Sequence, residues 1–588
     1  MADGVAIAIQ TLGWDASLAQ HEHWVVAFHG FVGNWSDLAR ARGLSLAGVA
    51  SDAGRVAVFF ARFGEAMFPW LRGEFALLII DRKEQAVVAV RDVIGTRPLF
   101  HQVKDGLLFV ASEIRQVRAG SNTPPTMNKV MMASYLLYRP IQQDLTLDQS
   151  VSRVMPGHVW RCAAMNPEAA PQVQAYWTPP PTSESRRYDL NALAEELRAL
   201  LEQAVTRATP SHPFAVTLSG GLDSGTIWAL VAEHAAQGDA NAALGIPYSL
   251  VFPGMECDES VRIAAMRAKT GATQYVEINA AQADLLEYLE SILDRVDGCV
   301  DMTSYHVSLL ARQVAMDGRA TLLTGLGDEW ITGSFRYLTD DLLAGHWWTV
   351  LKALARATPY RVKGSSRWRR LLNESGLGRL FRWRWLFPKV CPALYLVQER
   401  ELLSPKGNNI GRLTQSSRAR RSLDAVLLLA QSTLPNEPNE QLAASDCLEL
   451  RHPLNDLDLV EFGFRTPPRV FTGGIREKQL LRMAVADLLA PDLRELVNKT
   501  LFDEVALSYI SAVLADSASV RWVLVQQGLV NELALDSMRE QAARWYGTEH
   551  RDEQNKFYSN EYSNLLTVSR LYLREQVARK FSSQPWRK

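Results

Sequence analysis

The chain has 588 residues, of which 47% are hydrophobic and 22% are charged, and its formal net charge is −1. That length exceeds what a single hydrophobic core supports, so two or more domains are expected. The share of apolar residues argues against a disordered chain. The near-zero net charge gives no global electrostatic reason to expect nucleic acid as a partner, because phosphate binding relies on a basic surface.

The five cysteines are widely spaced and include no C-x-x-C pair. This pattern fits a reducing compartment better than a disulfide framework. The N-terminal stretch lacks a basic segment leading into an apolar one, and no apolar run reaches membrane-spanning length, so neither a secretory signal nor a transmembrane segment is expected. We therefore expect a cytoplasmic protein.

The first part of the chain, residues 1–177, contains short β-type runs that are bounded by turn residues or charges. Examples are WVVAFHG, GEFALLIID, QAVVAVRD, GLLFVAS and GHVWRC. These runs predict a domain built mainly from an antiparallel sheet. Residues 178–188 include three consecutive prolines and several small polar residues, which predict a linker.

From residue 189 to residue 588 the pattern changes to alternating helices and apolar strands. NALAEELRALLEQAVTRA has helical spacing, whereas PFAVTLSGG, IPYSLVFPG, TQYVEIN and ATLLTGLGD are typical of buried strands. Such alternation predicts a parallel sheet covered by helices. Beyond about residue 340 the chain is predicted to be wholly helical. The fold class that follows is α/β.

One motif carries most of the chemical information. The sequence SGGLDS follows a predicted strand and opens a predicted helix, and its candidate nucleotide-binding residues are Ser219, Gly220, Gly221, Leu222, Asp223 and Ser224. Glycines let the backbone approach an anion, and helix N-terminal amides with two hydroxyls can cradle pyrophosphate. Asp223 can hold Mg²⁺ against it. The alternative is a tight turn with an aspartate capping the helix.

This motif lacks the lysine and spacing of a Walker A loop, and it does not fit the G-x-G-x-x-G dinucleotide pattern. It resembles the pyrophosphate loop of ATP pyrophosphatases, which cleave ATP between the α and β phosphates. A second segment, TGLGDEW at residues 324–330, places carboxylates at the end of another apolar strand, where an open parallel sheet binds its ligands. Asp328 or Glu329 could therefore share a metal with Asp223; as an alternative, Asp328 caps a helix.

With both motifs present, the chain resembles the asparagine synthetase family over nearly its whole length. The segments similar to the family's glutaminase domain are GEFA at 73–76, RD at 91–92, GTRPLF at 95–100 and ASE at 111–113. The resemblance implies a glutaminase-like antiparallel β sandwich with helices, of the N-terminal-nucleophile hydrolase type. It further implies an ATP-pyrophosphatase domain with a parallel sheet and a helical C-terminal region, using ATP and Mg²⁺.

Glutaminases of this family use a cysteine that becomes the N-terminal residue once Met1 is removed, and here the next residue is Ala2. Without that thiol no glutamyl thioester forms, so the N-terminal domain is expected to be inactive and the amine to come from elsewhere. β-Lactam synthetases and lasso peptide cyclases share this loss. GDEWITGS at 327–334 and CDES at 257–260 resemble the cyclases more closely.

The resemblance also implies further site residues. Leu218 and Val251 should lie near the adenine, and Gly325 near the adenylate. Lys499 matches the lysine that neutralises pyrophosphate and the adenylation transition state, with a solvated surface lysine as the alternative.

The general base that would deprotonate the attacking amine cannot be assigned by motif. Glu259 is the candidate we assign as catalytic, and Asp301 and Tyr305 are further candidates; each of the three fits a structural hydrogen-bonding role equally well. His158 and His306 have no second histidine at zinc-ligand spacing, which favours packing or hydrogen-bonding roles.

The expected function is that of a macrolactam synthetase. It would adenylate an Asp or Glu side chain of a precursor peptide and close it onto the N-terminal α-amine, releasing AMP and pyrophosphate. The expected partners are that peptide, a leader peptidase and a leader-recognition protein. Three alternatives stand: a β-lactam synthetase, an ammonia-dependent asparagine synthetase-like ligase, and an inactive peptide-binding scaffold. The Arg/Trp-rich segment 361–389 would bind a leader, an acidic partner or a membrane surface, or form helices with buried tryptophans.

Overall fold

The computed structural model describes most of the chain. The described residues are 16–137, 144–182, 188–356 without positions 284, 299, 301, 334, 336 and 344, 436–496, 522–547 and 574–581. Lys499, Asp301 and the segment 361–389 therefore lie outside the described residues.

The N-terminal domain consists of two antiparallel sheets and their covering helices. Its strands are β1 (Ala16–His21), β2 (Trp24–Val32), β3 (Gly73–Asp81), β4 (Ala86–Arg91), β5 (Phe100–Lys104), β6 (Leu107–Ala111), β7 (Ser152–Arg153), β8 (His158–Ala163) and β9 (Gln172–Ala175). Its helices are α1 (Trp35–Arg42), α2 (Asp52–Phe63), α3 (Ile114–Ser121) and α4 (Lys129–Leu137). The larger sheet has the order β1-β2-β3-β4-β8-β9, and the smaller has the order β6-β5-β7.

Alternating side chains of β3 show how the layers form. Leu77 and Ile79 pack with Phe59 of α2 on one face of the larger sheet. Ala76, from the opposite face, packs with Trp160 and with residues of the smaller sheet. Because successive side chains of a strand point to opposite faces, one apolar strand supplies two cores. The predicted sandwich with helices is confirmed.

The C-terminal domain is a parallel sheet with helices around it. Its strands are β10 (Phe214–Thr217), β11 (Gly245–Val251), β12 (Val276–Asn279), β13 (Thr321–Leu323) and β14 (Glu449–Arg451). The order is β12-β11-β10-β13-β14, and each neighbouring pair is parallel.

The helices of this domain alternate with the strands and then continue to the C-terminal region. They are α5 (Leu190–Ala208), α6 (Leu222–Ala236), α7 (Ser260–Thr270), α8 (Leu285–Arg295), α9 (Met302–Met316), α10 (Glu329–Thr332), α11 (Tyr337–Leu343), α12 (Trp347–Arg356), α13 (Asn436–Ser445), α14 (Leu457–Arg465), α15 (Pro468–Thr472), α16 (Gln479–Ala484), α17 (Pro491–Arg494), α18 (Val523–Gln526) and α19 (Glu532–Gly547). Within the described residues, none of these helices is long and apolar enough to cross a bilayer.

One prediction about this region is wrong. The chain beyond residue 340 is not wholly helical, because β14 adds a parallel strand beside β13. Its central residue, Leu450, is fully buried, while charged residues stand on either side of it. Three residues are too few to show a strand periodicity. The segment is a strand because it pairs with β13, and that pairing is visible only in the structure.

A buried cluster of charged side chains joins the two domains. Arg97 donates from Nη1 to the carboxylate of Glu440. From Nη2 it donates to Glu449 at 3.2 Å and to the Leu450 carbonyl of β14 at 2.7 Å. Nearby, the His452 backbone N–H donates to Glu74 Oε1 at 2.6 Å. Ligating atoms of Glu74, Glu440 and His452 lie within 4.8 Å of one another, in a grouping that could otherwise suit a metal. The guanidinium of Arg97 already supplies positive charge here, so the cluster is an ion-pair network between domains.

Candidate active site

The candidate site lies where β10, β11 and β13 end. Strands of a parallel sheet share one carboxyl edge, so the loops that follow them meet there. The loop Ser219–Gly221 follows β10, and α6 begins at Leu222. The strand and the helix that the sequence predicts around this motif are confirmed.

Hydrogen bonds within the motif shape the start of α6. The hydroxyls of Ser219 and Ser224 lie 2.7 Å apart, and the Ser219 N–H donates to Ser224 Oγ at 3.0 Å. Gly221 is the N-cap residue of the helix, and as a glycine it has no side chain that could cap it. Asp223 lies in the first turn instead of capping it. No side chain at the N-cap position competes for the first backbone N–H groups of α6, which suits an anion site.

Two glycines are required by close packing between neighbouring loops. A Cβ on Gly220 would lie 2.6 Å from Glu259 Cβ, and one on Gly325 would lie 2.6 Å from the backbone nitrogen of Ser224. Neither position has room for a side chain. Gly325 also donates its N–H to Thr217 Oγ1 at 3.2 Å, which ties the end of β13 to that of β10.

Glu259 is placed against the glycine loop. Its Oε2 accepts from the Gly220 N–H at 2.9 Å, and its Oε1 pairs with Arg262 at 2.5 Å. Arg262 in turn donates to the Gly220 carbonyl at 2.9 Å. The Gly220 amide therefore points to a carboxylate in this structure, and Glu259 holds the loop in shape. The catalytic role for Glu259 and the nucleotide-binding role for Gly220 stay predictions.

The most informative contact was not predicted. Lys478 Nζ lies 2.6 Å from Asp223 Oδ2 and 2.7 Å from Asp328 Oδ2, so one ammonium bridges the two carboxylates. The Lys478 backbone has a φ of 57°, a left-handed conformation that is uncommon for a residue with a side chain. Its N–H donates to the Thr332 carbonyl at 2.9 Å, which anchors it directly after the carboxylate motif.

The acidic residues after β13 differ in their contacts. Asp328 precedes α10 without a side-chain cap to it, and its Oδ2 accepts from the Thr332 hydroxyl at 2.6 Å. Desolvation by the surrounding protein, and to a smaller extent the charge of Asp328, raises the pKa of Glu329. Part of the Glu329 side chain is nevertheless exposed to solvent. Asp328 is thus the residue that the fold pairs with Asp223, which favours it over Glu329 as the partner in a metal site.

These carboxylates fit a hard divalent cation. Mg²⁺ takes oxygen ligands, and Asp223 and Asp328 present theirs side by side around a positive charge. Leu218 and Val251, predicted near the adenine, are both buried at the ends of β10 and β11. Their contact with a nucleotide stays a prediction.

The remaining candidates have structural contacts or are buried. Tyr305 is buried, and its hydroxyl donates to the Ala280 carbonyl at 3.4 Å. Burial lowers the pKa of His306 to about 4, so its imidazole is neutral. Burial likewise lowers the pKa of His158, whose Nδ1 lies 2.7 Å from the Pro156 carbonyl oxygen. Both histidines fit the packing and hydrogen-bonding roles expected for them.

Comparison with known families agrees with the architecture. The family model described as asparagine synthase matches residues 196–568, and the model described as a glutamine amidotransferase domain matches residues 9–177. A solved structure of the allosteric regulatory enzyme of purine biosynthesis matches with a TM-score of 0.19 at 15% identity, covering 44% of this chain and 61% of that one. That score is too low to carry an argument.

Curated relatives give the same family. An asparagine synthetase (glutamine-hydrolyzing) 3 from Bacillus subtilis is 25% identical over 489 residues, which cover 80% of this chain and 74% of the relative. The amidase chyE from Penicillium rubens is 26% identical over 323 residues, covering 51% of this chain and 46% of the relative. This chain thus spans about half the length of the fungal protein. Since the asparagine synthase model matches more than half of the residues, the chain belongs to the asparagine synthase family.

Proposed function

We propose that the chain is an ATP-dependent ligase that joins a carboxylate to an amine through an acyl-adenylate. The observation that carries this proposal is the convergence of Asp223 and Asp328 at the glycine loop in front of α6. A scaffold protein has no physical need for paired carboxylates beside an uncapped helix N-terminus. Membership of the asparagine synthase family supports the same reaction class.

Each element of the site would have a defined task. The α6 amides and the hydroxyls of Ser219 and Ser224 would bind phosphate oxygens, and Asp223 and Asp328 would hold Mg²⁺. When bound, Mg²⁺ would neutralise charge that builds up on the phosphates. Lys499 lies outside the described residues, and its part in stabilising the pyrophosphate is a proposal that rests on the family resemblance alone.

The specific reaction that we propose is macrolactam formation. An Asp or Glu side chain of a precursor peptide would attack the α-phosphorus of ATP and release pyrophosphate. The peptide's own α-amine would then attack the acyl carbon and release AMP. The similarity of CDES at 257–260 and GDEWITGS at 327–334 to lasso peptide cyclases supports this choice. A leader peptidase and a leader-recognition protein would then be partners.

A second candidate is an asparagine synthetase-like reaction with a small acid and ammonia. The Bacillus subtilis relative, which covers 80% of this chain, favours it through its name. Product analysis separates the two. A macrolactam has the mass of the peptide less one water, whereas the second candidate would convert aspartate and ammonia into asparagine without any peptide.

Exchange of labelled pyrophosphate into ATP tests the adenylation step. We expect exchange that depends on a candidate peptide, and a loss of about a hundredfold or more in Asp223→Ala, the scale seen when a group that stabilises transition-state charge is removed. Asp37→Ala is the matched control, because Asp37 is an exposed residue of α1 in the N-terminal domain. Equal exchange by the two variants, or none by the unaltered chain with any acid, would contradict the proposal.

A further inference from the structure

The position of Lys478 poses a physical question. Its side chain is 9% exposed, and its ammonium lies between two carboxylates whose side chains are 23% and 27% exposed. A buried ammonium is costly without anionic partners, and two adjacent carboxylates repel each other without a cation. The three groups therefore stabilise one another.

The same position is where a shared divalent cation would lie. Lys478 contacts Asp223 Oδ2 and Asp328 Oδ2, which are carboxylate oxygens of the two residues that would hold Mg²⁺. An ammonium and a divalent cation repel each other and cannot both occupy the space between these atoms. Either the lysine moves or the metal binds elsewhere.

Lys478 is built in a way that allows movement. A lysine ends in a point charge on a flexible four-carbon stem, unlike the rigid fork of arginine. Its backbone is the fixed part, because the strained left-handed conformation is supported by the bond to Thr332 and by the start of α16. The ammonium can thus change partners while the chain around it stays in place.

We propose that Lys478 is a resident counter-ion for the metal site. It holds Asp223 and Asp328 together before nucleotide binds, and it passes to the triphosphate when Mg²⁺ enters with ATP. Metal binding then requires nucleotide, and Lys478 neutralises phosphate charge after the exchange. This inference rests on the proposed use of ATP and Mg²⁺, but not on the identity of the substrate.

Titration with Mn²⁺, followed by the electron paramagnetic resonance signal of the free ion, tests the inference without measuring activity. The full chain should bind Mn²⁺ weakly alone, and with a non-hydrolysable ATP analogue it should lower the free-ion signal well below that of the analogue alone. Without nucleotide, Lys478→Met should bind Mn²⁺ at least about tenfold more tightly than the unaltered chain, the scale on which groups beside metal ligands alter affinity. The added Asp223→Asn substitution should abolish that gain. Lys352→Met is the control, because Lys352 is exposed on α12.

Tight Mn²⁺ binding by the unaltered chain without nucleotide would overturn the inference, and this measurement needs no variant to fold. Equal Mn²⁺ affinity of folded Lys478→Met and the unaltered chain would also overturn it and make Lys478 a permanent ion-pair partner. Failure of pyrophosphate exchange together with nucleotide-dependent Mn²⁺ binding would remove only the proposed ligase reaction. The two proposals therefore fail independently.

Discussion

Two buried cations, Arg97 between the domains and Lys478 at the glycine loop, each contact more than one carboxylate. The Arg97 side chain is 1% exposed, and its partners Glu440 and Glu449 are 5% and 3% exposed. Lys478 is nearly as buried, but Asp223 and Asp328 keep about a quarter of their side chains in solvent. The first network is closed to water on every side, whereas the second is open on the side of its anions.

The choice of cation matches this difference. Arginine presents a rigid planar fork, and Arg97 uses it to bind one helix and one strand at once, through a glutamate of α13 and two residues of β14. Lysine offers one mobile charge, which is suited to an exchange of partners. Burial of the anions, more than burial of the cation, therefore distinguishes a structural ion-pair network from a site that can bind a ligand.

The largest effect should come from removing the Arg97 guanidinium. Arg97→Met would leave several carboxylates buried without their partner, and we expect a loss of about 3–5 kcal/mol in stability. Lys478→Met should cost about 1 kcal/mol or less, because water can solvate Asp223 and Asp328. Thermal unfolding midpoints of the two variants measure the difference. Equal shifts would break the distinction between the two regions.

The closed network should contribute to the pH dependence of stability. Burial raises the pKa of Glu440 to about 7, against the opposing charge of Arg97. Burial disfavours the charged form of His452, but the facing carboxylate of Glu74 outweighs this and raises its pKa. The titratable and charged groups that face Glu440 are Arg97, His452, Glu74 and His29.

Both raised pKa values act with the same sign. The folded chain holds protons more tightly than the unfolded chain, so stability falls as the pH rises from about 4.5 to about 7 through Glu440, and further above about 6.5 through His452. Glu440→Gln should flatten the first part of this decline. Unfolding midpoints measured from pH 5 to pH 8 check it; an unchanged slope in Glu440→Gln would place the titration elsewhere.

The smallest effect concerns the support of the open site. Glu259→Gln would keep an acceptor for the Gly220 amide but lose the ion pair with Arg262. We expect the KM for ATP to rise about tenfold, because a charge-assisted hydrogen bond is replaced by a neutral one. If Glu259 were the general base, kcat would instead fall by about 10²–10⁴. Steady-state kinetics with varied ATP separate the two roles.

Five of the N-terminal strands, β2, β3, β4, β6 and β8, were predictable because each is long enough to show its pattern. β3, for example, has nine residues, and six consecutive apolar ones at 75–80 lead to a charged turn. β14 escaped prediction because three residues carry no period, and its neighbours in the chain are helices. Local sequence therefore predicts an element well only when the element itself contains the signal.

Site residues divide in the same way. Asp223 was predictable because the glycines and serines around it form one continuous motif. Lys478 follows Asp223 by more than 250 residues, and its own segment, REKQLL, shows only a charged start to an apolar helix. An alignment could have drawn attention to it, but spacing in this sequence could not.

The sequence by itself determined the two-domain α/β plan and the glycine-rich turn with its aspartate, because strand patterning and turn chemistry are local properties. Only the tertiary structure decided that Glu259 supports the loop and that Lys478 joins Asp223 to Asp328. The physical reason is that these contacts depend on how strand ends and a distant helix start meet in space, and side-chain charges act through distance in space, not along the chain.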